Sequence, residues 1–312
     1  MRQDPPEQDA RTAPGGGPRA ARSGVAAAYA ALAFLALVWG YSWVATKVAT
    51  HYASPLAVAW GRTALGALAL LTVLRLTGRT LRPTPLAPTL VLGLLQTTGF
   101  TILQTLAVSA GGAGKAAVLA YTMPLWLALL AWPFLGERIG RLRWAALALA
   151  ASGLALIATP LQVRSLAATA LPVAAGLVWA ASAVWAIRMC RPGRSDLLSL
   201  TAWQMAWGAA AMAPFALLLP IEVRWTAPFV AAMGFLVLLA TALGWALWLF
   251  ILSRLPATAA GVGSLATPVV GVTIAALQLH ELPSARELGG MLCIVVALGA
   301  NALASTVRGP RA

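Results

Sequence analysis

Residues 122–137 read TMPLWLALLAWPFLGE, and residues 266–281 read ATPVVGVTIAALQLHE. Laid over each other they put Pro124 on Pro268 and Glu137 on Glu281 at one offset of 144, a register that runs back without a gap to Thr97 over Thr241. A second match, LVWGYSWV (37–44) with LVWAASAV (177–184), keeps Leu, Val, Trp, Ser and Val at an offset of 140. The chain therefore carries one pattern twice. Chance alignment of Ala/Leu-rich helices competes with this reading, but two registers kept through Trp, Ser, Pro and Glu weigh against chance.

Both copies lie in apolar runs of about 20 residues, the length an α-helix needs to cross a bilayer core. The whole chain has 312 residues, 60% hydrophobic and only 10% charged, whereas a soluble domain carries about 25% charge. Apolar windows predict ten spans, at 25–49, 54–76, 86–108, 113–135, 142–160, 169–188, 196–219, 226–252, 255–279 and 284–305. The expected fold is thus an all-α polytopic membrane protein, with ten transmembrane helices as two five-helix repeats. Each repeat has an odd number of crossings, so the second must start on the opposite side of the membrane. Inverted repeats are a recurring transporter construction, with the solute held between the halves.

The domain layout follows. Residues 1–24, rich in Pro, Gly and charge, have little to bury and read as a disordered cytoplasmic tail. Residues 25–160 and 161–305 form the two repeats, and 306–312 a second cytoplasmic tail. The net charge of +14 does not point to nucleic acid, because the basic residues fall in gaps between spans. Most of them, from Arg75, Arg79 and Arg82 to Arg188, Arg191 and Arg254, lie on one set of gaps. Lys47, Lys115, Arg164, Arg224 and Arg286 lie on the other. The positive-inside rule then places both termini in the cytoplasm. Cys190 and Cys293 sit on different segments, without the spacing of a disulfide framework or thiolate metal site.

Charges within spans are costly and mark function. All eight acids fall in the tail or near helix ends, so no midplane carboxylate is available for an organic cation or for proton coupling. Arg62, roughly 10 Å deep in helix 2, is the foremost intramembrane charge, with Lys47 and Lys115 shallower. These three bases are candidates to attract a carboxylate. Snorkelling to the headgroups accounts equally for the two lysines.

On helix 3, Thr97, Thr101 and Gln104 share one face. Their counterparts on helix 8 are Thr241, Trp245 and Trp248, which predicts a cavity with a polar and an aromatic wall, suited to a compact amphipathic solute. Alternatively, the tryptophans join interfacial belts and Thr101 bonds back to its own helix. Trp39 and Ser42 on helix 1, repeated as Trp179 and Ser182 on helix 6, are candidates to gate or floor that cavity, or simply to pack. Pro124 and Pro268 each free a carbonyl four residues earlier, at Ala120 and Ser264. They are candidate hinges lining the pathway, with a plain packing kink as the alternative. Glu137 and Glu281 are expected to cap helices 5 and 10.

Trp39-Gly40 followed by Lys47, Arg62 after Pro55, and the run Gly114-Lys115 through Tyr121-Thr122-Met123-Pro124 to Gly136-Glu137-Arg138 resemble the EamA-type members of the drug/metabolite transporter superfamily. The likeness covers nearly the whole chain beyond the tail, and its helix 4 block is the most specific part. It implies ten helices in two inverted repeats, small-metabolite transport, often outward, and a bacterial inner-membrane location. It also adds Tyr121 to the candidate substrate contacts. The second repeat departs from the pattern, with Ile187 where Lys47 would recur and His280 in place of the Gly before Glu281.

The function expected is a carrier for a small metabolite, most simply an exporter of an amino acid or similar zwitterionic solute by alternating access. No cofactor and no metal are expected, and the partners are the solute and the lipid bilayer. A channel built on the same repeats is the alternative. An intramembrane enzyme stands lowest, since it would need convergent acids, histidines or a metal cluster.

Overall fold

The computed structural model describes residues 18–136, 139–158, 163–189, 196–218, 222–252, 254–255 and 265–307. Nearly all are helical, and we label the helices α1 (Pro18–Thr50), α2 (Pro55–Leu76), α3 (Leu86–Ala110), α4 (Ala113–Leu135) and α5 (Arg141–Ala158). They continue as α6 (Val163–Met189), α7 (Leu197–Leu218), α8 (227–252), α9 (Ala266–Leu279) and α10 (Ala285–Val307). Among the described residues there is no strand, and Ala53 and Val223 form an isolated antiparallel bridge. Six helices, α1 to α4, α6 and α8, are long and apolar enough to cross a membrane.

Local chemistry sets the ends. Ser54 accepts the Ala57 N–H at 3.4 Å with Pro55 opening α2, and Thr226 accepts the Phe229 N–H at 3.4 Å at the start of α8. Both satisfy an otherwise orphaned helix donor. At α10 the Glu287 carboxylate accepts the Ser284 N–H at 3.0 Å while the Glu287 N–H donates to Ser284 Oγ at 3.3 Å, a reciprocal capping box. Helices α4 and α9 both end on a left-handed residue, Gly136 (φ 69°) and His280 (φ 56°). His280, one of the two departures from the repeat pattern, thus takes up the backbone shape of its glycine counterpart.

Several features differ from the sequence windows: α6 begins at Val163, ahead of the window at 169–188, and of the ninth window, 255–279, helix is described from Ala266 onward, residues 256–264 lying outside the described residues. α1 begins at Pro18, so residues 18–24 of the expected tail are helical. Proline at the first helical position has a preset φ, and Arg-Ala-Ala-Arg behind it has high helix propensity. α3 and α8 also each contain a widened π stretch, Gly93–Gly99 and Phe235–Leu243, where the N–H of Phe100 reaches Leu95 O and that of Gly244 reaches Leu239 O.

Packing follows a regular scheme. α1 packs on α8 and α9, and α6 on α3 and α4, while α2 meets α7 and α8, and α7 meets α3. α4 packs on α9 and α5 on α10, the latter so closely that Gly153 and Gly290 each lie against the other's carbonyl. Exchanging α1–α5 for α6–α10 turns this set of principal partnerships into itself. Helix ends also sort onto two faces. The C-terminal ends of α1, α3 and α9 gather with the start of α4 through Lys47, Gly111, Ala113 and Glu281. On the other face, Arg188 near the end of α6 donates to Phe134 O near the end of α4, and Arg79 after α2 pairs with Asp196 before α7. α1 and α6, the helices matched in sequence, therefore run in opposite directions.

Candidate functional site

Among the described residues, α3 and α8 form no extended interface of their own, and α2 lies against both. Arg62 of α2 spans the interval. Its Nε donates to Thr241 Oγ1 of α8 at 3.3 Å, and one terminal N–H donates to Gln104 Oε1 of α3 at 3.3 Å. A guanidinium carries five donors in a rigid fork, and among the described residues no carboxylate pairs with it. Arg62 is half-buried, whereas Gln104 and Thr241 are buried. Among the described residues the arrangement leaves a half-buried positive charge without an acidic partner in the helix bundle, which suits an anionic group on a solute.

The helix 3 face is buried throughout: Thr97, Thr101 and Gln104 have little exposure. Gln104 alone of the three reaches Arg62. Thr101 offers its carbonyl to the Thr105 hydroxyl at 2.8 Å. Thr97 sits under Gly208 of α7, where a Cβ would fall 2.7 Å from the threonine methyl. Thr241 sits likewise under Gly66 of α2, where a Cβ would fall 2.5 Å from its methyl. Only glycine permits either approach.

Trp39, Trp245 and Trp248 form one cluster. The Trp39 ring lies 6.1 Å from Trp245, edge to face, and 5.7 Å from Trp248. Its indole N–H donates to Ala240 O at 3.0 Å, within the widened turn of α8. A π turn interrupts the regular hydrogen-bond ladder, and such turns are frequent at functional sites. The indole therefore serves a carbonyl next to Thr241, and the aromatic cluster begins one helical turn beyond the Arg62 contact. Ser42 and Ser182 make the same local bond, each donating to the carbonyl three residues back, Trp39 O and Trp179 O, at 2.6 Å. Both hydroxyls are occupied by their own helices, and Trp179 is half-buried.

The two lysines have structural partners. Lys47 donates to Val108 O at 2.9 Å and Gly111 O at 2.7 Å, serving carbonyls at the end of α3 that lack an intrahelical donor. Lys115 pairs with Glu287 at 3.1 Å. Tyr121 is buried in the apolar cluster of α4, α5 and α10. α4 breaks at Tyr121-Thr122, just before Pro124, and the Ala120 carbonyl faces the α6 backbone at Gly176, where a Cβ would lie 2.7 Å from it. That carbonyl meets protein. Pro268 is buried in the first turn of α9, and its counterpart carbonyl, at Ser264, lies outside the described residues. So does Glu137. Glu281 caps a different helix from the one expected: its carboxylate accepts the Ala113 N–H at 2.6 Å, opening α4. Among the described residues no three His, Cys, Asp or Glu side chains gather as a metal site.

Sequence reading passed over a second polar contact, Gln204 of α7 donating to Gln96 of α3 at 2.9 Å. Gln204 precedes Gly208 by four residues, as Arg62 precedes Gly66. The glycine spacing was the available signal, too short to align α2 with α7 without the contacts of Thr97 and Thr241. Exchange of the two halves thus carries Arg62 to Gln204, and the charge has no cationic counterpart.

Apolar helices of membrane-crossing length, bundled with one half-buried arginine among them, are those of a polytopic membrane protein. The EamA-like transporter family matches residues 26–159 and again 166–301, and the chain belongs to that family: it is a membrane transporter. It is 28% identical over 277 residues to the uncharacterized transporter YvbV of Bacillus subtilis (strain 168), covering 86% of this chain and 88% of that protein. It is 26% identical over 273 residues to the uncharacterized transporter YoaV of the same organism, covering 85% and 93% respectively. A crystal structure of 17% identity superposes with a TM-score of 0.65, covering 91% of this chain and 99% of that one, which shows the fold alone.

Proposed function

We propose that this transporter is an alternating-access carrier for a small zwitterionic or amphipathic metabolite of the amino-acid class, and that it works as an exporter. On this reading the ten helices are spans in two inverted five-helix repeats, set in a bacterial inner membrane with both termini cytoplasmic. The observation that carries it is Arg62, half-buried between α3 and α8, bonded to Gln104 and Thr241 and lacking a carboxylate partner among the described residues. The fork takes the solute carboxylate, and Trp39, Trp245 and Trp248 offer apolar area to its side chain. Support for the inverted repeats comes from the opposed directions of α1 and α6, the self-matching packing scheme, and the paired π stretches and left-handed caps.

The experiment is counterflow in proteoliposomes. Vesicles preloaded with unlabelled leucine, phenylalanine or glutamate are tested for uptake of the labelled compound. Saturable counterflow with at least one of them, lost in Arg62→Gln at unchanged protein content, is the expected result. Linear, non-saturating flux points instead to a channel, and full activity in Arg62→Gln removes the site.

A further inference from the structure

At the end of α2 lies a groove unrelated to the central interval. Leu71, Thr72, Arg75, Leu76, Leu81 and Trp203 enclose about 380 Å³ between α2, α7 and the segment that follows α2. Its lining is apolar apart from Thr72 and Arg75. Leu76 is 80% exposed and Leu81 41%, although both are large aliphatic side chains. The flat indole of Trp203 forms one wall, and its Nε1 is buried with no hydrogen-bond partner.

The charges around the groove are unbalanced. Arg79 is paired with Asp196 at 2.9 Å. Arg75, inside the groove, and Arg82, next to Leu81, are exposed, and among the described residues neither guanidinium has an acid or an acceptor. An apolar slot with uncompensated arginine at its mouth, at the end of a membrane-crossing helix, is complementary to a molecule with an anionic head and a hydrocarbon body. Basic pockets between transmembrane helices hold acidic headgroups in this way, and the guanidinium fork matches phosphate geometry.

We infer that this groove is a binding site for one anionic phospholipid, whose phosphate is held by Arg75 with Arg82 beside it and whose chain lies along Leu71, Leu76 and Trp203. The site is independent of the solute carried and holds lipid whether or not transport proceeds.

Native mass spectrometry of the purified full chain, titrated with phosphatidylglycerol or phosphatidylcholine of matched chains, tests it. The expected result is one phosphatidylglycerol retained in clear preference to phosphatidylcholine. Arg75→Gln should lower that retention about fivefold, Arg75→Lys should restore part of it, and Trp203→Ala should weaken both lipids together. Equal retention of the two lipids, or an Arg75→Gln variant indistinguishable from wild type, overturns the proposal. Displacement by glycerol 3-phosphate as effectively as by the lipid would mean a site for a free phosphoester, and would overturn it too. Arg75 is exposed at a helix end, so its variants should fold; a thermal melt matching wild type checks this.

Discussion

The carboxylate of Glu281, just past the end of α9, accepts the backbone N–H of Ala113 at the start of α4, at 2.6 Å. A residue that closes one helix in sequence thus opens another in space, and it ties the two halves of the chain at one face of the bundle. Lys115, two residues on, pairs with Glu287 at the same face.

Removing that cap should be costly. Glu281→Ala strips a charged acceptor from an N-terminal helix donor, a change worth about 1–2 kcal/mol. Thermal unfolding in detergent should show a lower melting temperature, with Glu281→Gln falling between. An unchanged melt for Glu281→Ala would mean the contact adds nothing.

The glycine approaches make a paired prediction. Gly66→Ala drives a Cβ to 2.5 Å from the Thr241 methyl, and overpacking of this kind costs about 1–3 kcal/mol. Adding Thr241→Ser removes the methyl and keeps the hydroxyl that faces Arg62, so the double variant should recover most of the lost stability. At Gly208 a new Cβ would meet the Thr97 Cβ as well as its methyl, both at 2.7 Å, so Gly208→Ala should destabilise and Thr97→Ser should recover little of the loss. Additive losses in the Gly66→Ala/Thr241→Ser pair, measured by thermal melts, would refute the contact.

Trp39→Phe keeps most of the aromatic area but removes the donor that serves Ala240 O. A buried carbonyl left without its partner costs about 1–3 kcal/mol. The expected outcome is a lower melting temperature and faster amide exchange across 235–243. Wild-type exchange there would show the bond to be dispensable.

His280 holds a left-handed backbone that costs an L-residue roughly 1–2 kcal/mol. His280→Gly should raise the melting temperature, and Gly136→Ala, at the matching turn, should lower it. If neither moves in calorimetry, the strain argument fails.

How much of this was legible follows from the physics of each feature. Helix positions were readable because apolar runs of bilayer length are a property of single segments. The left-handed turn at His280 was not read from the sequence, where His280 stood only as a departure from its glycine counterpart, Gly136. Partners across helices were not readable, because they depend on how each helix is rotated about its axis. The reach of Arg62 to both Gln104 and Thr241, and of Trp39 to Ala240 O, belongs to that class. Lys47 drew attention as a charge, yet its task is set by the end of α3, 61 residues away in sequence at Val108. The π stretches left no mark at all, since the apolar pattern of α3 and α8 tolerates a surplus residue.

That surplus has a mechanical meaning. A helix with one residue too many for its bonding ladder resembles a dislocated crystal: if the misfit glides by trading one bond for the next, each residue it passes turns by about 100° about the helix axis, and the residues beyond it keep their place. Thr97 and Thr241 sit inside these two misfits. Gliding of either one re-aims its threonine while both ends of the rod stay anchored.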